Sequence, residues 1–94
     1  MIKSFRDKEA ERIWKGEVSR KLPRSIQQVA RRKLRMLNNA QSLQDLNVPP
    51  ANRLEALKGD RRGEHSIRIN QQWRVCFRWK DGHVRDVAIV VYHR

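Results

Sequence analysis

Several residue types are scarce in this chain of 94 residues, and each scarcity removes a class of protein. A single cysteine, Cys76, leaves no partner for an intramolecular disulfide and no thiolate spacing for a metal site, which fits a reducing compartment. The histidines, at positions 65, 83 and 93, lack metal-site spacing as well, and no metal or other cofactor is expected. No apolar run approaches the roughly 20 residues that span a bilayer. Met-Ile-Lys-Ser-Phe is too short and polar to open a signal peptide. The expectation is a soluble, cytoplasmic protein without a membrane partner. Walker loops, serine-nucleophile elbows and paired carboxylates are missing too, which excludes the common P-loop and serine-hydrolase chemistries. The most telling shortage is of acid: Asp and Glu total 10 against 22 Lys and Arg, for a net charge of +12 and a pI of about 11.3.

A field of that sign attracts polyanions and penalises compactness, so it implies a partner. Nucleic acid leads, followed by an acidic protein and then by anionic membrane. The chain is long enough for one modest core, and a single domain over residues 1–94 is expected.

What is present reads as two helices followed by strands. "IKSF" at 2–5 alternates like a short strand, and Asp7 is placed to cap a helix over 8–16 whose stripe is Ala10, Ile13 and Trp14. In "PRSIQQVARRKLRMLNNA", Ser25 and Gln28 have capping-box spacing, and Ile26, Val29, Ala30, Leu34 and Leu37 recur at helical intervals. The opposite face carries Arg31, Arg32 and Arg35, with Lys33 at its boundary and Arg24 at its start. No acidic residue occurs from Val18 to Gln44, so this face lacks the glutamates that normally accompany a solvated basic face. It is therefore a candidate surface for RNA. Ser42 and Asp45 predict one helical turn, and "NVPPAN" a loop.

Alternation then takes over. "RLEALK" places Leu54 and Ala56 on one face; "HSIRIN" turns Ile67 and Ile69 inward with Ser66, Arg68 and Asn70 opposite. "WRVCFRW" turns Trp73, Val75, Phe77 and Trp79 one way and Arg74, Cys76 and Arg78 the other. Asp81-Gly82 marks a hairpin into "VRDVAIVVYH", whose apolar residues on both faces predict an interior strand. The fold class is α+β: a small antiparallel sheet with two N-terminal helices packed on one face.

The strand period also gathers charge. If the second and third strands pair through the short "NQQ" connection, Arg68 and Arg74 share the non-core face, within reach of Lys58. Guanidinium forks suit a phosphodiester, although strand arginines also cover sheets with their aliphatic stems. Arg61 and Arg62, beside Gly59 and Gly63, add to the charge. Tyr92 and His93 close the chain as an adjacent pair able to move protons. His83 is read as an exposed hairpin residue.

"NRLEALKGDRRGEHSIRINQQWRVCFRW" with the terminal "YHR" resembles the HigB branch of the RelE/ParE toxin superfamily. The likeness runs over essentially the whole chain, including Leu54, Leu57, Gly59, Arg61 or Arg62, and Gly63 of a Leu-x-x-Leu-x-Gly-x-Arg-x-Gly pattern. It implies a toxin of a type II toxin–antitoxin system that cuts mRNA in the ribosomal A site without a metal. It also implies contacts with small-subunit rRNA and mRNA, and neutralisation by a HigA-type helix-turn-helix antitoxin. Lys58, Arg68, Arg74, Tyr92 and His93 fall where this branch places cationic and proton-transfer residues. Glu55 stands where some members have histidine, and Val91 where some have aspartate; Glu55 is retained as a possible base. ParE-like relatives poison gyrase instead, and a non-catalytic basic RNA-binding module would share the same surface, so fold alone leaves these alternatives open.

Overall fold

The computed structural model describes residues 1–92. Helix α1 (Lys8–Trp14) starts where Asp7 accepts from the Glu9 amide at 2.9 Å, and ends before Gly16, burying Ala10 and Ile13. Helix α2 (Arg24–Asn39) buries Ile26, Ala30, Leu34 and Leu37 of the predicted stripe, with Val29 half-buried against the core. Its start differs from expectation. Pro23 is the N-cap and Ser25 lies inside the first turn, so the Ser25–Gln28 box is not made. The preceding turn is held from within the helix instead: Gln27 accepts from the Ser19 amide at 3.1 Å and donates to the carbonyls of Ser19 and Leu22, each at 2.8 Å. The predicted turn around Leu43–Asn47 forms, and the Asp45 carboxylate accepts from the amides of Gln41 and Ser42.

Four strands follow: β1 (Glu55–Ala56), β2 (Glu64–Arg68), β3 (Trp73–Lys80) and β4 (His83–Val91). They form one antiparallel sheet in the order β1-β2-β3-β4. Asp81 and Gly82, at φ 52° and 77°, make the tight β3–β4 hairpin with the positive angles that a two-residue turn requires. Asp86, also at positive φ, marks an extra residue in β4 opposite Phe77, which keeps Val84, Val87 and Ile89 on the helix side.

Two strand expectations change. "IKSF" contributes only two isolated parallel bridges, Ile2 to Val84 and Phe5 to Val87. β4 is consequently the last strand of the sheet, not an interior one, and the N-terminal segment covers only its first half. Its double-sided apolar character has another cause. Val87 and Ile89 join the core beneath the helices, whereas Ala88 and Val90 pair with Cys76 and Arg74 on the outer face. The core itself lies between the helices and the inner face, with Phe77, Ile67 and Val75 fully buried beside Leu34 and Leu37. The outer face carries Ser66, Arg68, Arg74 and Arg78 of β2 and β3, with Ala88 and Val90 of β4 beside them.

Candidate active site

Register decides what the outer face presents. Glu55 pairs with Ser66 across β1 and β2, and Arg68 pairs with Arg74 across β2 and β3. Directly opposed cations are destabilising in a sheet unless something compensates. Around Arg74 the compensation is extensive. Its side chain is buried at 5% exposure; Nε donates to Ser66 Oγ at 2.8 Å, and Nη2 donates to the carbonyls of Arg53 and Ser66. Glu55 Oε2 lies 3.5 Å from Nη2, and the Tyr92 ring lies 5.0 Å from the guanidinium carbon. Arg68 is half-buried and has no ion pair among the described residues. A second opposed pair, Arg78 with Arg85, is neutralised differently: Arg78 reaches Asp86 at 3.6 Å and Glu64 at 4.0 Å. Among the described residues, the first pair leaves Arg68 without an acidic partner beside a cleft.

That cleft, of about 500 Å³, is lined by Arg53, Glu55, Arg68, Asn70, Arg74 and Tyr92. A neighbouring cleft of about 370 Å³ shares Arg74 and Tyr92 as its wall and continues over Leu57, Arg61, Cys76 and Val90. Burial pushes the Cys76 thiol up in pKa, against the downward pull of the Arg61 guanidinium, so it lies there as a neutral thiol. Chemically, the first cleft offers a rigid guanidinium, a second cation, a carboxylate and a phenol within one space. This is the inventory for binding a phosphodiester and moving protons beside it.

Over residues 3–93 the sequence matches the family described as the RelE-like toxin HigB of type II toxin–antitoxin systems. The chain belongs to the HigB family. It is 42% identical to Toxin HigB-1 of Vibrio cholerae over 83 residues, covering 87% of each chain. It is 29% identical to Endoribonuclease HigB of Proteus vulgaris over 93 residues, covering 99% of this chain and all of the relative. The fold is shared with YafQ from E. coli (TM-score 0.65, 12% identity, 97% of this chain and 91% of that one). It is shared too with YoeB in the YoeB–YefM complex from Staphylococcus aureus (TM-score 0.62, 18% identity, 100% and 99%). The protein is thus a HigB-type toxin with the α+β architecture of RelE-like toxins.

In this HigB-type toxin, Glu55, Arg68, Arg74 and Tyr92 come together around one cleft, with Arg61 lining its neighbour. Lys58 is exposed and lines neither cleft. Arg62 is exposed on the turn after Gly59–Arg61, and His93 lies outside the described residues. The basic helix face is smaller than its sequence suggests. Lys33 is buried, its Nζ donating to Asn52 Oδ1 at 2.6 Å, and its pKa is lowered by desolvation and by Arg32. Arg31 Nε donates to the Ile13 carbonyl at 3.0 Å and closes the end of α1. Arg24, Arg32 and Arg35 remain exposed. His83 is half-buried, with Nδ1 shielded and unbonded, not the exposed residue expected.

Sequence reasoning missed Arg53 and Gln71 at the cleft. Arg53 had a readable signal, since positions 53 and 55 share a side of an alternating segment. Gly63 makes room for a neighbouring side chain, since a Cβ there would sit 2.8 Å from Arg78 Nη1.

Proposed function

We propose that this toxin is a ribosome-dependent mRNA endonuclease that arrests translation by cutting mRNA in the A site, with arginines in place of a metal ion. The observation that carries the reading is the opposed Arg68–Arg74 pair, with Arg74 immobilised beside Glu55 and Tyr92. The name of the Proteus vulgaris relative supports the same activity. In the reaction, a ribose 2′-oxygen attacks the adjacent phosphorus while a base takes its proton. The P–O5′ bond breaks, and an acid protonates the departing 5′-oxygen. The products are a 2′,3′-cyclic phosphate and a 5′-hydroxyl.

Arg74 supplies charge stabilisation that needs no reorganisation, because Ser66 and Arg53 already fix its plane. Arg68 binds the same phosphate from the facing strand, and Lys58 approaches with the RNA. Tyr92, His93 and Glu55 are the proton-transfer groups. Arg24, Arg32, Arg35, Arg61 and Arg62 contact small-subunit rRNA and mRNA; Arg31 and Lys33 serve the fold first. The toxin works as one cytoplasmic domain over residues 1–94, neutralised by a HigA-type helix-turn-helix antitoxin.

Mapping transcript 5′ ends shortly after induction tests the reading. Expected are new 5′-hydroxyl ends confined to translated frames, and their disappearance when translation of a reporter is blocked. Intact transcripts with lost supercoiling would make it a gyrase poison, and growth arrest with neither change would leave a binding module.

A further inference from the structure

Residues 47–53 lead from the turn at Leu43–Asn47 towards β1, and every one of them except Asn52 is exposed. Asn52 has 0% exposure. A buried amide must be bonded to offset its desolvation, and this one is bonded at both ends. Its Nδ2 donates to the Leu46 carbonyl at 3.1 Å and to the Val48 carbonyl at 3.4 Å, while Oδ1 accepts from Lys33 Nζ at 2.6 Å. Only a side chain with N–H donors beside an acceptor can do both, which neither leucine nor an ionised aspartate offers. One polar side chain therefore fastens an otherwise exposed loop to helix α2.

The next residue shows what the fastening holds. Arg53 closes the 3₁₀ turn Pro50–Asn52 in the left-handed region, at φ 45° and ψ 58°. Residues other than glycine keep that conformation where the surrounding structure enforces it. The Arg53 carbonyl then accepts from Arg74 Nη2. The bond from Arg74 Nε to Ser66 Oγ, at 2.8 Å, comes from within the sheet, whereas the bond to Arg53 comes from the loop. The Arg74 guanidinium is thus held from two sides, and one of them ends at Asn52.

We infer that Asn52 is a positioning residue for RNA cleavage: braced by Lys33 of α2, it sets the Arg53 carbonyl and, through it, the direction of the Arg74 guanidinium. Its role in the reaction rests on the endonuclease reading; its hold on Arg74 does not. The hold is tested in the full chain by nitrogen-15 spectra of the arginine side chains. In Asn52→Ala the Arg74 Nη2 protons should lose their protection from solvent exchange, while the Nε proton, bonded to Ser66, keeps it. Unchanged protection at both positions would overturn the proposal. So would loss at both together with the β2 and β3 amides, since Asn52 would then support only the fold. In a translating extract Asn52→Ala should lower kcat by about 10–100-fold with KM little changed, the cost of misplacing a group that acts in the transition state. Added to Arg74→Ala, it should slow cleavage no further, because both changes remove one interaction; additive losses would count against it. If Asn52→Ala does not fold, Lys33→Met, which removes the brace and leaves the amide, decides by the same two readouts. Released Nη2 protons in a protein that cuts no mRNA would keep the hold on Arg74 and discard the endonuclease. Cleavage that depends on Arg74 but is indifferent to Asn52 would do the reverse.

Discussion

On α2, the basic side chains that still face water, Arg24, Arg32 and Arg35, are separate and exposed, whereas on the sheet's outer face Arg74 is buried at 5% exposure among fixed acceptors. The two regions show two uses of the same residue type. A buried cation must be fully bonded to offset desolvation, and the bonds that do so also fix its direction. An exposed cation keeps its rotamer freedom and acts through the field. The sheet arginine is therefore suited to a transition state, where a fraction of an ångström matters, and the helix arginines to a polyanion met at a distance. Arg31 and Lys33 show a third use on α2 itself, closing α1 and holding Asn52.

The comparison is broken most decisively at the cleft. Deleting Tyr92 to Arg94 removes the pair proposed to transfer protons and leaves β4 and the cleft arginines Arg53, Arg68 and Arg74 in place. Cleavage in a translating extract should fall by about 10⁴, the upper end for loss of an acid or base, while ribosome co-sedimentation persists. A folded truncation that still cuts at wild-type rate would move the chemistry to Glu55 or Lys58. Next comes Arg74→Ala, with a loss of about 10²–10³ in rate for one preorganised donor. It should also lower stability by about 1–3 kcal/mol, because the Ser66 and Arg53 acceptors lose their partner. Arg74→Lys should restore little of either, since an ammonium cannot donate to Ser66 Oγ, the Arg53 carbonyl and Glu55 in one plane. Rate and melting temperature together separate the pinned arginine from a merely charged one.

How much of this was readable beforehand follows from the range of each interaction. Strand alternation is local, and it placed Arg68, Arg74 and Ser66 on one face as the register shows. The α2 stripe is local as well. What escaped was set by partners distant in sequence. Lys33 sits on the flank of the basic run, and only the fold brings Asn52, 19 positions away, against its ammonium. Arg31 finds the end of another helix, and Gln27, which resembles any polar residue of a first turn, is spent on the loop before it. An apolar residue on a sheet's second face ordinarily means a covering layer, which makes β4 look interior; here it means a cleft. The gathering of Glu55 and Tyr92 around Arg74 came from family likeness and not from spacing, since their separation of 37 positions carries no local signal.

A smaller effect sharpens the third use of charge. Burial and Arg32 lower the pKa of Lys33 below its ordinary value of 10.5, so the unfolded chain binds this proton more tightly than the folded one. Stability contributed by this group must therefore rise with pH between the lowered folded value and 10.5. In Lys33→Met that rise is absent. Urea midpoints from pH 7 to 10.5 should show the native protein gaining on the variant as pH increases; a shrinking gap would mean that the buried ammonium is stabilised in place.

The smallest effect belongs to the exposed helix face. Arg32→Gln with Arg35→Gln touches no hydrogen bond among the described residues and leaves the buried stripe intact, so the melting temperature should stay unchanged. Each arginine that contacts an RNA phosphate displaces about one condensed counterion, and the dependence of log affinity on log salt should flatten by about 0.7–0.9 per residue removed. The double variant therefore binds ribosomes more weakly at low salt and converges on the native protein as salt rises. Adding Arg31→Gln should cost about 0.5–1.5 kcal/mol of stability through the lost bond to the Ile13 carbonyl, with little further change in slope. If the double variant keeps the native salt slope, the face is only solvated and the ribosome is met elsewhere. If instead Arg31→Gln alone flattens the slope, closing α1 and binding RNA are shared by one guanidinium, and the separation between fixed and free cations fails on this helix.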